Sequence, residues 1–265
     1  MNHKDSHTAA EAEGNDGMGT GKATSVGLRR PTVRVLPQGM VNVFLLEGDG
    51  LVLVDTGLRG GEKRILQALR GQGIDPKRIR LIVATHNHED HIGALQAMRD
   101  ATGAKTAMSV VDRDVMEGRM KDEITPLSLV AKIMFRLSGV ETKSGTGGGP
   151  KAPLPPPKHA TPTIDIAFDG AFDLRPYGIA GDVLPTPGHT KGSVSILLED
   201  GSVLVGDSLM AMMPWSKPGR PMLAHDLGMI RTGVRMLLDK GATRFYLSHG
   251  KSFGREDIVR ALETL

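Results

Sequence analysis

The chain is expected to adopt an α/β (α+β) fold in which two mixed sheets pack face to face, with helices on both outer sides. Three features lead there. Blocks of short strands and blocks of helices alternate twice along the 265 residues. The runs Leu51-Val52-Leu53-Val54 and Leu81-Ile82-Val83-Ala84 are apolar on both faces, so each strand must be covered from both sides. Turn residues such as Gly48-Asp49-Gly50 and Glu199-Asp200-Gly201 divide the strands into hairpins. Two packed sheets with outer helices provide the double cover that such strands need.

Residues 1–28 are rich in Gly, Ala, Thr, Asp, Glu and Lys and have almost nothing to bury, which predicts a disordered tail ahead of a domain over 29–265. Val33–Leu36, Val41–Leu46 and Leu51–Val54 read as three strands, the last ending in Asp55-Thr56-Gly57. Glu62–Leu69 carries Ile65, Leu66 and Leu69 at helical spacing and stops at Gly71 or Gly73. Leu81–Ala84 is the next strand, followed by a helix over Ile92–Ala101 with Leu95 and Met98 inward and a strand over Thr106–Val110. From Asp112 the pattern changes. Residues 112–139 read as helical, with Leu127, Val130, Met134 and Leu137 in one stripe and Ile133 beside it, and Ser144–Pro157 reads as a Gly- and Pro-rich loop or hinge. Residues 112–163 are therefore expected to form a cap inserted over the active face. The second half holds short strands at Ile164–Phe168, Ala171–Leu174, Asp182–Leu184, Val194–Leu198 and Val203–Val205, a helix at Leu227–Leu238, a strand at Phe245–Leu247 and a closing helix at Glu256–Leu262.

Composition narrows the function. A formal net charge of +3, scattered along the chain, is too weak to argue for nucleic acid as a partner. The absence of cysteine removes disulfides, thiolate ligands and a cysteine nucleophile together, and fits a reducing compartment. No run approaches the roughly 18 apolar residues of a membrane span, and the first thirty residues hold no secretory core. The expectation is a cytoplasmic protein acting on a small-molecule substrate, with a homodimer left open.

The chemistry-bearing residues gather just past apolar runs. His86-Asn87-His88-Glu89-Asp90-His91 follows Leu81–Ala84. Asp55 ends Leu51–Val54, His189 lies in Thr186-Pro187-Gly188-His189-Thr190, Asp207 ends Val203–Gly206, and His249 ends Phe245–Ser248. All are strand-to-loop junctions, where a rigid strand aims a loop. Donors at i and i+2 of an extended loop can share one ion, while those at i+4 and i+5 turn to another side. That suits two ions side by side, and an all His/Asp shell favours zinc, with iron or manganese as alternatives.

These elements, namely Asp55 in VDTG, HNHEDH at 86–91, His189 in TPGHTKGS, Asp207 in VGDS and His249 in SHG, resemble the metallo-β-lactamase-fold hydrolases in kind, order and placement over 31–265. The resemblance implies a four-layer αββα sandwich with a dinuclear site. It implies that His86, His88 and His189 bind the first ion, that Asp90, His91 and His249 bind the second, that Asp207 bridges them, and that Asp55 supports the ligand loops from behind. It further implies a hydrolase in which a hydroxide between the ions attacks an ester, thioester or lactone carbonyl, with Asp90 orienting it and passing a proton to the leaving group. Phosphodiester cleavage on the same site is the alternative, with β-lactam hydrolysis as a minor activity. Glu89 falls outside the pattern and is expected to face solvent or to help hold the loop.

Departures from the better-known branches narrow this to the broad glyoxalase-II-like group. There is no cysteine ligand, an aspartate stands at the bridging position, and His88 stands where the oxygen-reducing diiron branch has glutamate. Ser208-Leu209-Met210 follows Asp207 where the acyl-homoserine lactonases carry tyrosine. A glutathione-binding helical domain after His249 and the basic arm of the tRNA-processing branch are not expected. Trp215, Arg220 and His225 follow Asp207 closely and are candidates for the substrate-pocket wall. Gly250-Lys251-Ser252-Phe253-Gly254 matches the nucleophile-elbow pattern, but no histidine follows His249 to complete a triad.

Overall fold

The computed structural model describes residues 27–121, 123–127, 132–133, 143–144, 150–153 and 161–265. The predicted tail over 1–28 therefore lies almost wholly outside the described residues. So do His3, His7, His159 and most of the predicted cap stripe.

In chain order, β1 (Thr32–Pro37), β2 (Asn42–Glu47) and β3 (Leu51–Val54) form an antiparallel meander. Helix α1 (Glu62–Gly71) leads to β4 (Ile79–Val83), which lies parallel to β3. Helices α2 (Glu89–Ile92) and α3 (Leu95–Thr102), strand β5 (Lys105–Ser109) and helix α4 (Val110–Met116) follow. Next come β6 (Glu123–Pro126), β7 (Lys143–Ser144) and β8 (Pro150–Pro153), then β9 (Ile166–Phe168), which closes the first sheet beside β5. The second half contains β10 (Phe172–Asp173), β11 (Gly181–Pro185), β12 (Val194–Leu198), β13 (Ser202–Leu204), β14 (Leu223–Ala224), α5 (Leu227–Asp239), β15 (Arg244–Tyr246), β16 (Phe253–Gly254) and α6 (Arg255–Leu262).

The sheets run β1-β2-β3-β4-β5-β9 and β10-β11-β12-β13-β15-β16, with a small third sheet β14-β6-β8-β7. Three apolar clusters make the layers. One joins Leu45, Leu53 and Ile82 to Ile65, Leu69, Leu95 and Met98 of α1 and α3. A second, between the sheets, joins Phe44, Val52, Val54 and Val83 to Val183, Ile196 and Leu204. The third joins Val203, Val205 and Phe245 to Ile230, Val234 and Ile258 of α5 and α6. Helix, sheet, sheet, helix is the expected four-layer order. The double cover of β3 is the reason all four of its residues are buried.

Three readings needed correction. The helix expected over 92–101 is two pieces, because Gly93 lies against the Leu58–Arg59 backbone where a Cβ would collide, and Ala94 N–H turns to the Gly57 carbonyl. Within the helix expected over 112–139, α4 ends at Met116, where the Arg119 and Met120 amides fold back onto the Asp114 carbonyl, whereas Lys132 and Ile133 are helical and the rest of 128–139 lies outside the described residues. Glu123–Pro126 is then a strand paired with β14 and β8, and Pro150–Pro153, expected as loop, is a strand in the same sheet. Short apolar runs do not distinguish strand from helix when the pairing partner lies a hundred residues away. Of the predicted stripe, Leu127 packs on the third cluster and Ile133 is half exposed.

Candidate metal centre

The strand ends expected to converge do converge. β4 delivers His86, His88, Asp90 and His91, with His88 as the extended residue ahead of α2. The loops after β11, β13 and β15 deliver His189, Asp207 and His249. Ligand atoms of His86, His88 and His189 lie within 4.8 Å of one another, as do those of His86, His91 and Asp207, and of Asp90, His91 and His249. His91 Nε2 is 3.3 Å from Asp207 Oδ1, His249 Nε2 is 3.1 Å from Asp90 Oδ2 and 3.4 Å from Asp207 Oδ2, and His189 Nε2 is 3.6 Å from Asp207 Oδ2.

Four of the five rings are aimed by their Nδ1, while Nδ1 of the fifth, His88, lies 3.0 Å from His189 Nε2. Asp55 is the one non-glycine among the described residues with positive φ, at 61°. Its Oδ2 accepts from His91 Nδ1 at 2.8 Å and from Thr85 Oγ1 at 2.8 Å, and its Oδ1 accepts from Thr85 N–H at 2.7 Å. Thr85 Oγ1 sits 3.0 Å from His86 Nδ1, so one carboxylate orients two rings. His189 Nδ1 donates to the Leu223 carbonyl at 2.9 Å and His249 Nδ1 to the Met40 carbonyl at 2.8 Å. A carbonyl can only accept, so in the neutral rings Nε2 is left as the lone-pair atom facing the cluster.

Two residues in the sequence carried no obvious sign of this role. Asp112, fully buried near the start of α4, accepts at Oδ2 from Asn87 N–H (3.1 Å) and Thr190 Oγ1 (2.9 Å), and at Oδ1 from Gly192 N–H (3.0 Å). It thus braces the loops carrying His88 and His189 against each other. Asn42 Nδ2 donates to the carbonyls of Leu247 (3.1 Å) and Gly250 (2.7 Å), sewing the His249 loop to the first sheet. Ser109-x-x-Asp112 was legible as a helix start, but neither partner loop is local.

The electrostatics divide the cluster in two. Burial, reinforced by the neighbouring imidazoles, holds His86 well below its ordinary pKa; burial and His189 hold His88 down as well. These rings stay neutral, the form that offers a lone pair. Burial also opposes charge on His91 and His249, but the Asp207 carboxylate, with Asp55 beside His91 and Asp90 beside His249, outweighs it and holds both above their ordinary value. Asp207, despite burial, is held well below the usual carboxylate range by His91 and His249.

Among the described residues, Nε2 of His86, His88 and His91 and Oδ1 of Asp207 are buried without a hydrogen-bond partner. Buried polar atoms left without a hydrogen bond are costly, and a shared cation is the partner that suits imidazole and carboxylate together. The donor set therefore fits divalent metal.

A cavity of about 230 Å³ opens onto His88, Asp90, His189, Asp207 and His249. Its wall differs from the expectation. Trp215 is 79% exposed, Arg220 is exposed and His225 half-buried, and none of the three lines the cavity. The segment after Asp207 bends back at the Met210–Gly219 bridge, which carries Trp215 out on the intervening loop and presents Met210 and Met212 instead. Glu89 is exposed, as expected.

Buried imidazole and carboxylate donors at strand ends, set between two packed sheets, define a metallo-hydrolase. The chain belongs to the metallo-beta-lactamase superfamily, whose family model matches residues 36–227. It is 28% identical over 216 residues to "Probable metallo-hydrolase MJ0888" of Methanocaldococcus jannaschii, covering 79% of this chain and 87% of that one. It is 27% identical over 136 residues to a hydroxyacylglutathione hydrolase of Cereibacter sphaeroides, covering 51% of this chain and 36% of that one. The fold is shared with the metallo-beta-lactamase family protein TTHA1429 of Thermus thermophilus (TM-score 0.55, 23% identity, 87% of this chain and 77% of that). It is shared equally with TTHA1623, solved in a di-iron-bound form (TM-score 0.56, 21% identity, 87% and 98%). Among the described residues no helix is long and apolar enough to cross a membrane.

Proposed function

We propose that the cluster holds two divalent ions, zinc ahead of iron or manganese, and that the protein hydrolyses an ester, thioester or lactone bond in a small molecule. His86, His88 and His189 would hold the first ion, Asp90, His91 and His249 the second, and Asp207 both. The observation that carries this reading is the set of partnerless buried donor atoms turned toward one point beside a cavity. Ions bound there supply a Lewis acid for the carbonyl oxygen and acidify water from a pKa of 15.7 to about 7.

The chain's own groups divide the remaining work. The Asp90 side chain is 34% exposed and lines the cavity, whereas Asp207 is 3% exposed. Asp90 is thus the carboxylate that reaches the substrate. It takes the proton of the attacking water at a carboxylate oxygen and passes it to the leaving group. Asp55 and Asp112 hold the loops in register, and the Met40 and Leu223 carbonyls orient His249 and His189. A phosphodiester is less well served, since among the described residues no lysine or arginine lines the cavity to meet a second anionic oxygen. The cysteine-free chain suits a reducing cytoplasm.

The test is chelation and reloading with zinc, with His88→Ala and Asp207→Ala alongside, read by bound-metal analysis and by hydrolysis of p-nitrophenyl acetate. Loss of both metal and hydrolysis is expected in the chelated protein and the variants. Full hydrolysis without metal would overturn the proposal.

A further inference from the structure

Apart from its histidines and aspartates, the cavity is walled by Met40, Met210, Met212, Met222 and Leu223. Four of these five are methionine. The backbone beneath them is fixed. The Met40 and Leu223 carbonyls hold His249 and His189, Met210 and Gly219 exchange both backbone hydrogen bonds at 3.0 Å, and the Met222 carbonyl accepts from Leu127 N–H at 2.8 Å. The side chains above it are unbranched thioethers that can repack around different shapes. Met40 is 75% and Met212 41% exposed, so apolar surface beside the reacting centre stands in water until something covers it.

Resting on the hydrolase reading above, we infer that this wall is the subsite for an uncharged, unbranched hydrocarbon chain on the acyl side of the substrate. Met210, Met212 and Met222 set the specificity. Covering the wall favours a chain over acetate, by up to about fourfold for each fully buried methylene. The flexibility of methionine makes the preference broad in length. A carboxylate on the chain would be desolvated against the thioethers of this wall, with no lysine or arginine among the lining residues to meet it, and is rejected.

The experiment uses the full-length zinc-loaded protein with p-nitrophenyl acetate, butyrate, hexanoate and octanoate, and with the hydrogen succinate ester as the carboxylated partner of butyrate. The expected result is a rise in kcat/KM of about tenfold or more from acetate to hexanoate, with succinate about tenfold or more below butyrate. Met212→Lys and Met222→Ser should collapse the hexanoate-to-acetate ratio. Binding of 1-octanol to metal-free protein, followed by calorimetry, reads the subsite without catalysis and should weaken in Met222→Ser. Acetate hydrolysis with a flat or falling chain-length profile would overturn the subsite and leave the hydrolase reading standing. No hydrolysis of any ester would overturn the hydrolase reading, and octanol that fails to bind would then overturn the subsite as well.

Discussion

Asp55 Oδ2 lies 2.8 Å from His91 Nδ1, and both side chains are fully buried. The same carboxylate accepts two further bonds from Thr85. Deleting it strands three buried donors at once. Asp55→Ala should therefore cost about 2–4 kcal/mol, a fall in Tm of about 5–15 °C for a chain of this size, measured by thermal unfolding of chelated protein. Asparagine tolerates the left-handed backbone of this position. Asp55→Asn should therefore fold, yet hold zinc about 10–100-fold more weakly in chelator competition.

Metal should stabilise the fold as well as serve chemistry. Asp55, Asp90 and Asp207 place three carboxylates around rings of which three are held neutral. A cation at 100 times its Kd adds about 2.7 kcal/mol. Adding zinc to chelated protein at neutral pH should raise Tm, and His86→Ala should abolish most of that rise while lowering the metal-free Tm far less.

Asp112 should matter to metal retention although it donates to no ion. Asp112→Asn keeps the shape but turns an amide N–H₂ toward the donors at Asn87, Thr190 and Gly192. About 10–100-fold weaker zinc binding is expected, with kcat falling more than KM rises. A purely structural role would lower Tm and leave zinc affinity alone. Gly192→Ala should phenocopy it, because a Cβ there collides with Asp112 and Ser109.

Away from the site, Asp165 should make stability pH-dependent. Its carboxylate accepts from Arg99 Nε (2.9 Å) and Nη2 (2.7 Å) and from Thr106 N–H and Oγ1. The Arg99 guanidinium first, then Thr106, hold it well below the usual carboxylate range against partial burial. Its folded pKa is depressed, so its contribution is complete above the unfolded value of about 3.9 and is lost as pH falls through the folded one. Comparison of wild type with Asp165→Asn by urea unfolding should show a gap of about 1 kcal/mol after solvent screening, constant above about pH 5 and closing below about pH 4.

Much of the fold was legible because its signals are local. The alternating or fully apolar runs fall on strands within a residue or two, and Val194–Leu198 coincides with β12. The donors were legible for a related reason, since each lies just past a buried run. The small β14-β6-β8-β7 sheet was not. Glu123–Pro126 becomes a strand only because Leu223–Ala224 and Pro150–Pro153 come alongside, and nothing within 123–126 reports a partner that far away.

The sequence by itself determined the two-sheet layering, the donors and their order, because hydrophobic period and residue chemistry are properties of short segments. Only the tertiary structure decided how the donors are held and what they face. That Asp112 rather than a nearer carboxylate braces two loops, and that methionines rather than Trp215, Arg220 and His225 line the cavity, depends on contacts between segments tens of residues apart. Those contacts are set by how the sheets and loops pack. Asp55 shows both halves of this. Its place at the end of β3 could be read from four apolar letters, but its bond to His91 exists only once β3 and β4 lie side by side.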